Sequence, residues 1–104
     1  MIRHIVLFKI KDFSSESERN EAIQNILVTF RSLIGQIPQI RKYRVESDCI
    51  HGPSSLDVIF DSVFDNVEDL KAYQSHPAHL DAVELNKQWS EYKIIGDYYF
   101  ENQT

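Results

Sequence analysis

Ile2-Arg3-His4-Ile5-Val6-Leu7-Phe8-Lys9-Ile10 is the stretch on which the fold turns. Ile2, His4, Val6, Phe8 and Ile10 fall on one side of an extended chain; Arg3, Ile5, Leu7 and Lys9 fall on the other. Period two with β-branched residues predicts a strand. In its middle both sides are apolar. The strand is therefore expected at the centre of a sheet that is covered on both faces.

Downstream the period changes. Ser15 followed by Glu18 matches a capping box, which satisfies free amides at a helix start. Ile23, Ile26, Leu27, Phe30, Leu33 and Ile34 then form one apolar stripe at helical spacing, with Gly35 and Pro38 as stop signals. This predicts a helix from about Ser15 to Ile34. A second strand is expected from Ile40 to Ile50, with Tyr43, Val45 and Cys49 on one face and Arg44 and Glu46 on the other. It is polar enough for a sheet edge. The turn His51-Gly52-Pro53-Ser54-Ser55 leads into a third strand, Leu56 to Val63, as an antiparallel hairpin. There Leu56, Val58 and Phe60 alternate with Asp57, Ile59 and Asp61.

Asp65 or Asn66 is placed to cap a helix carrying Leu70 and Tyr73. His76-Pro77 breaks that helix, and Pro77 fits the first turn of a new one. Leu80, Val83 and Leu85 supply its apolar residues as it runs towards Trp89. A last strand, Tyr92 to Phe100, sets Tyr92, Ile94, Tyr98 and Phe100 against Lys93, Ile95, Asp97 and Tyr99. Residues 1–100 read as one domain and 101–104 as a loose tail.

The order β-α-β-β-α-β is the split βαβ of ferredoxin-like folds. It makes an α+β sandwich: a four-stranded antiparallel sheet with its helices on one face. Nothing remains to cover the other face, yet the strands are apolar on both sides. Each large apolar side chain left in water forfeits about 1.5–3 kcal/mol. The loops are too short to fold under the sheet. The expected solution is a homodimer, in which two open faces meet over roughly 1,200–2,000 Å².

Composition narrows the function. Among 104 residues the net charge is −5, and the one dense basic group, Arg41-Lys42-Tyr43-Arg44, reads as a solvated strand edge. No nucleic-acid partner is expected. Cys49 is the single cysteine, so no intrachain disulfide forms, and a reducing cytoplasm is the simplest compartment. The lone thiol, with no base adjacent, reads as a small buried hydrophobe. No apolar run approaches the ~20 residues of a membrane span, and no signal peptide is read at the start.

The polar residues inside the apolar pattern are His4, and Tyr73, His76 and His79 at three-residue spacing. A histidine titrates near neutrality and can act as a general base; a phenol can donate to a carbonyl or enolate oxygen. Each residue also has a structural reading. His4 would bond a neighbouring acceptor, His76 would cap the helix after Pro77, His79 would tie helix to sheet, and Tyr73 would be a core aromatic with a wet tip. His4, His76 and His79 could supply three metal nitrogens. However, no His-Glu-x-x-His helix or Cys-x-x-Cys pair is present, so no metal is expected. Three scattered glycines build no phosphate loop, so no cofactor is expected either.

The opening Ile2–Lys9, the block Leu70-Lys71-Ala72-Tyr73-Gln74-Ser75-His76-Pro77-Ala78-His79 and the closing Gly96-Asp97-Tyr98-Tyr99-Phe100 give the chain a wider likeness. Over almost its whole length it resembles the stress-responsive A/B barrel (Dabb) family. That resemblance implies a ferredoxin-like protomer whose sheet pairs with a second copy into a dimeric α/β barrel. The family includes plant stress proteins and many bacterial proteins without known activity. One plant member is a polyketide cyclase that closes a ring by aldol-type chemistry with carboxylate retention. By resemblance His79 is implied as base, Tyr73 as the group that orients it or holds a substrate oxygen, and His4 as an assistant on the cleft floor. Three functions follow as expectations. One is a small-ligand site, with cyclase-like or lyase-like catalysis as its enzymatic form. Another is a non-enzymatic stress or assembly protein. The third is a monooxygenase-like member of the wider barrel class. The residues leave open which of these holds, and whether the chain is an enzyme.

Overall fold

The computed structural model describes residues 1–101, so all but the first residue of the expected tail, 101–104, lies outside the described residues. The chain runs β1 (Ile2–Ile10), α1 (Glu16–Arg31), a 3-10 turn (Ser32–Gly35), β2 (Lys42–Ser47), β3 (Val58–Phe64), α2 (Val67–Ser75), α3 (Pro77–Asn86) and β4 (Ser90–Tyr99). The four strands form one antiparallel sheet in the order β2-β3-β1-β4. This is the expected ferredoxin-like α+β arrangement, with β1 in the interior of the sheet.

Local chemistry explains the element ends. Ser15 Oγ accepts from the Glu18 amide at 3.1 Å, capping α1. The reciprocal half of the expected capping box is absent, because Glu18 accepts from the Ser14 hydroxyl at 2.8 Å instead. The helix gives way at Ser32 to a 3-10 turn that contains Ile34, and Ile34 is exposed rather than part of the inward stripe. Asn66 caps α2 by accepting from the Asp69 amide at 2.8 Å. β2 ends at Ser47, short of the expected Ile50.

Register decides which side chains meet. β1 pairs with β3 as Ile2–Phe64, His4–Ser62, Val6–Phe60 and Phe8–Val58. These buried residues face α1 and α2. The aromatic centre of the core is the triplet Phe8, Phe30 and Phe60. Phe60 meets the other two edge-on, with ring centroids 4.8 and 4.6 Å away. That geometry favours the ring quadrupoles beyond the burial itself.

Three sequence expectations are corrected. Cys49 lies beyond β2 and is exposed, so it is no buried hydrophobe. Leu80 and Leu85 are exposed on α3; the residues α3 buries are Ala82 and Asn86. Asp57, expected inside the third strand and alternating with Leu56 and Val58, precedes that strand and is buried. Its carboxylate accepts from the Ile10 amide at 2.9 Å and binds the Arg19 guanidinium. Burial alone would raise its proton affinity. The Ile10 amide, Arg19 and Lys9 outweigh that and hold it below the usual carboxylate value.

Candidate functional site

β1, α2 and α3 converge on one small cleft. His4, Tyr73 and His79 all line it, together with Phe8, Val83 and Lys93. The structure thus brings the three sequence-predicted residues to one place. Its free volume is about 40 Å³, little more than the ~30 Å³ share of one liquid water.

His4 is buried because it occupies an inward position of β1. Register sets it opposite Asp97 of β4, and its Nδ1 lies 2.5 Å from Asp97 Oδ1. A carboxylate only accepts, so Nδ1 carries the hydrogen and the ring orientation is set. Ser62, opposite on β3, donates its hydroxyl to the His4 carbonyl at 3.1 Å. Sequence reading missed Asp97 as a site residue. Its signal was present in the outward-inward alternation of the last strand, but the pairing needs the register.

Tyr73 is buried on α2, and its hydroxyl shares a hydrogen bond of 2.9 Å with Tyr43 of β2. Burial pushes the Tyr73 phenol up to about 12, against the hydrogen bond from Tyr43, which lowers it. Burial, and the neighbouring Tyr73, raise Tyr43 further. Both phenols are neutral at neutral pH and serve as hydrogen-bond donors or acceptors, never as bases. Tyr43 was read from sequence only as an edge-strand residue.

His76 and His79 separate in role. His76 Nδ1 accepts from the Ala78 amide at 3.0 Å, which makes it the N-cap of α3. The helix-cap reading of His76 therefore accounts for its nitrogen. His79 lies in the first turn of α3, its ring centroid 4.4 Å from that of Tyr73. Its Nδ1 lies 2.9 Å from the Gln74 carbonyl oxygen. The carbonyl accepts, so Nδ1 carries the hydrogen and Nε2 carries the lone pair when the ring is neutral. Burial lowers the proton affinity of His79. The nearby charges of Lys93, His4 and His76 lower it further, outweighing the Gln74 carbonyl. A neutral imidazole with its anchored nitrogen protonated can accept a proton at Nε2. Among the described residues no group of three or more His, Cys, Asp or Glu is arranged to hold a metal ion.

Fold and cleft together define a class: a ferredoxin-like α+β protomer with an imidazole-and-phenol cleft under its helical layer. The chain belongs to the stress responsive A/B barrel domain family, whose pattern matches residues 2–100. An uncharacterised protein of Streptomyces coelicolor is 34% identical over 100 residues, covering 96% of this chain and all of that one. A dimeric protein of unknown function from Bacteroides fragilis superposes with a TM-score of 0.85 at 30% identity, over 95% of each chain. A hydroxynitrile lyase from Passiflora edulis superposes with a TM-score of 0.76 at 19% identity, over 99% of this chain and 95% of that one. That last likeness is one of fold. No helix among the described residues is long and apolar enough to cross a membrane.

Proposed function

We propose that this protein is a homodimer that binds a small organic molecule at the His4–Tyr73–His79 cleft, with His79 Nε2 as proton acceptor. The observation that carries the ligand reading is the anchored His79. Its Nδ1–H is committed to Gln74, its surroundings favour the neutral ring, and the cleft it lines also holds a phenol and a second, carboxylate-oriented imidazole. In an enzymatic form of this reading, His79 takes a proton from a hydroxyl or from a carbon beside a carbonyl. Tyr73 donates to the substrate oxygen. No metal is needed for such a step. The Passiflora lyase supports this form only through shared fold, and the family's cyclase chemistry only through the positions that the resemblance implies.

The homodimer reading rests on the open sheet face. Ile94 and Tyr98 are 55% and 50% exposed there, beside half-buried Ile5 and Leu7 of β1. The dimeric state of the Bacteroides fragilis relative supports it.

A second reading is favoured by the cleft's small volume. Every one of the three side chains already has an intramolecular partner, which suits a structural role in an assembly protein. One experiment separates the two. Nitrogen-15 NMR of the imidazoles is followed while small aldehydes, ketones and carboxylic acids are added to wild type and to His79→Ala. The ligand reading expects the His4 and His79 signals to move in wild type, and the His4 response to vanish in the variant. Unmoved signals across the whole panel would leave the structural reading.

A further inference from the structure

Lys93 stands where two cavities join. The cleft beside His79 and a groove of about 220 Å³ between α3 and β4 share Phe8, Val83 and Lys93 as walls. Beyond them the groove is walled by Ser90 and Tyr92. Lys93 reaches this place because its register partner is Phe8, an inward residue of β1. Together the two spaces are large enough for a ligand that the cleft alone cannot hold.

The charge at the join is uncompensated. In a chain of net charge −5, Lys93 forms no ion pair among the described residues. Asp97, on the same side of β4, is taken by His4. The second lysine of the groove, Lys87, is taken by Glu84 at 2.7 Å. Glu91 lies in the groove wall but not within ion-pair distance of Lys93. An ammonium between an apolar wall and a half-buried imidazole is a recognition element for an anion.

We propose that cleft and groove form one site for a small carboxylic acid, its carboxylate on Lys93 and its apolar body along Phe8 and Val83. The atom next to the carboxylate then lies towards His79. This rests on the ligand reading above and adds the chemical class.

The test uses matched pairs: benzoate and benzamide, phenylacetate and phenylacetamide, 4-methylpentanoate and 4-methylpentanamide. Each is titrated into the full chain, with the His79 imidazole and the Tyr92 and Lys93 amides observed by NMR. At least one acid is expected to move all three signals and to bind about 10-fold more tightly than its amide, the scale of one charge-assisted contact. Lys93→Met should lose that preference and Lys93→Arg should keep most of it. Lys93 is exposed, so both variants are expected to melt as wild type does at pH 7.5, above the titration of His79. Equal binding of acid and amide at His79, or an unchanged preference in Lys93→Met, overturns the anion proposal and leaves the cleft reading intact. If neither acid nor amide moves the His79 imidazole, the cleft reading falls and this proposal with it.

Discussion

β1 and β4 run side by side, paired from Ile2–Tyr99 to Ile10–Ser90, yet they live in different surroundings. In β1 every second residue is buried, from Ile2 to Ile10. In β4 every residue from Glu91 to Tyr99 is exposed. Their sequences do not predict this contrast, since β4 is as rich in Ile and Tyr as β1 is in Ile, Val and Leu. The difference lies in what stands over each strand. The helices cover β1, β3 and part of β2 and stop short of β4. Burial in this molecule is set by how far the helical layer reaches, while the strand pattern sets only which residues would profit from cover. β4 therefore has two unfinished sides. One continues the open face through Ile94 and Tyr98. The other, through Lys93 and Ile95, forms the wall of the cleft.

The sharpest way to break the contrast is to truncate one inward residue on each strand. Phe8 on β1 packs against Phe30 and Phe60. Phe8→Ala should cost about 3–5 kcal/mol, enough to unfold much of a marginal small domain. Ile95→Ala, two positions from Phe8's partner Lys93 on the same side of β4, should cost less than about 1 kcal/mol within the protomer. Urea unfolding of both variants measures this. Comparable losses would mean that β4 belongs to the core after all.

The two sides of β4 should also differ in association. Ile94 lies on the open face, paired with Leu7; Ile95 lies on the helical side, paired with Val6. A charge at Ile94 would be buried twice in a two-fold contact. Ile94→Asp should weaken the dimer by about 2 kcal/mol or more, the scale of a central interface residue. Sedimentation at micromolar concentration should then fall from a species near twice 12.2 kDa towards 12.2 kDa. Ile95→Asp should leave the dimer in place. A wild type that sediments as a monomer would remove the reason for an apolar open face.

The same contrast explains what was legible in the sequence. Strand and helix order followed from changes of period, because each element repeats its pattern several times. The inward set of β1 followed too, including the odd His4. What escaped were facts that live between elements. Asp97 lies 93 positions from His4, and only the β1–β4 register makes them partners. Tyr43 and Tyr73 meet through the packing of a helix on an edge strand. Asp57 reads as one more residue of an alternating strand until the Ile10 amide and Arg19 are placed around it. In α3 the leucines suggest the wrong face: the helix buries Ala82 and leaves Leu80 and Leu85 outside. The expectation that His4, Tyr73 and His79 share a place came from resemblance and spacing. Their hydrogen bonds, which give each a different chemical state, needed coordinates.

The smallest expected effect tests the chemical state of His79, on the cleft wall that faces β4. Its proton affinity in the folded chain lies below the ordinary value of 6.5. The unfolded chain then binds more protons than the folded one in the window just below that value. Stability therefore rises with pH through it. His79 contributes fully above the unfolded value, and its contribution is lost as pH falls through the folded one. The carboxylates held low, Asp57, Glu46 and Asp65, lose their contributions only below their ordinary values of 3.8, 4.5 and 3.8, outside this window. Melting between pH 7.5 and 5 should show Tm falling as the pH falls. His79→Gln should flatten that slope. His51→Gln, at an exposed turn, should leave it as it is. Since Lys93 contributes to the depression, Lys93→Met should reduce the slope in part, which ties the protonation of the cleft to the strand the helices leave uncovered. A slope that survives in His79→Gln would assign the proton to another group and deprive the proposed base of its neutral ring.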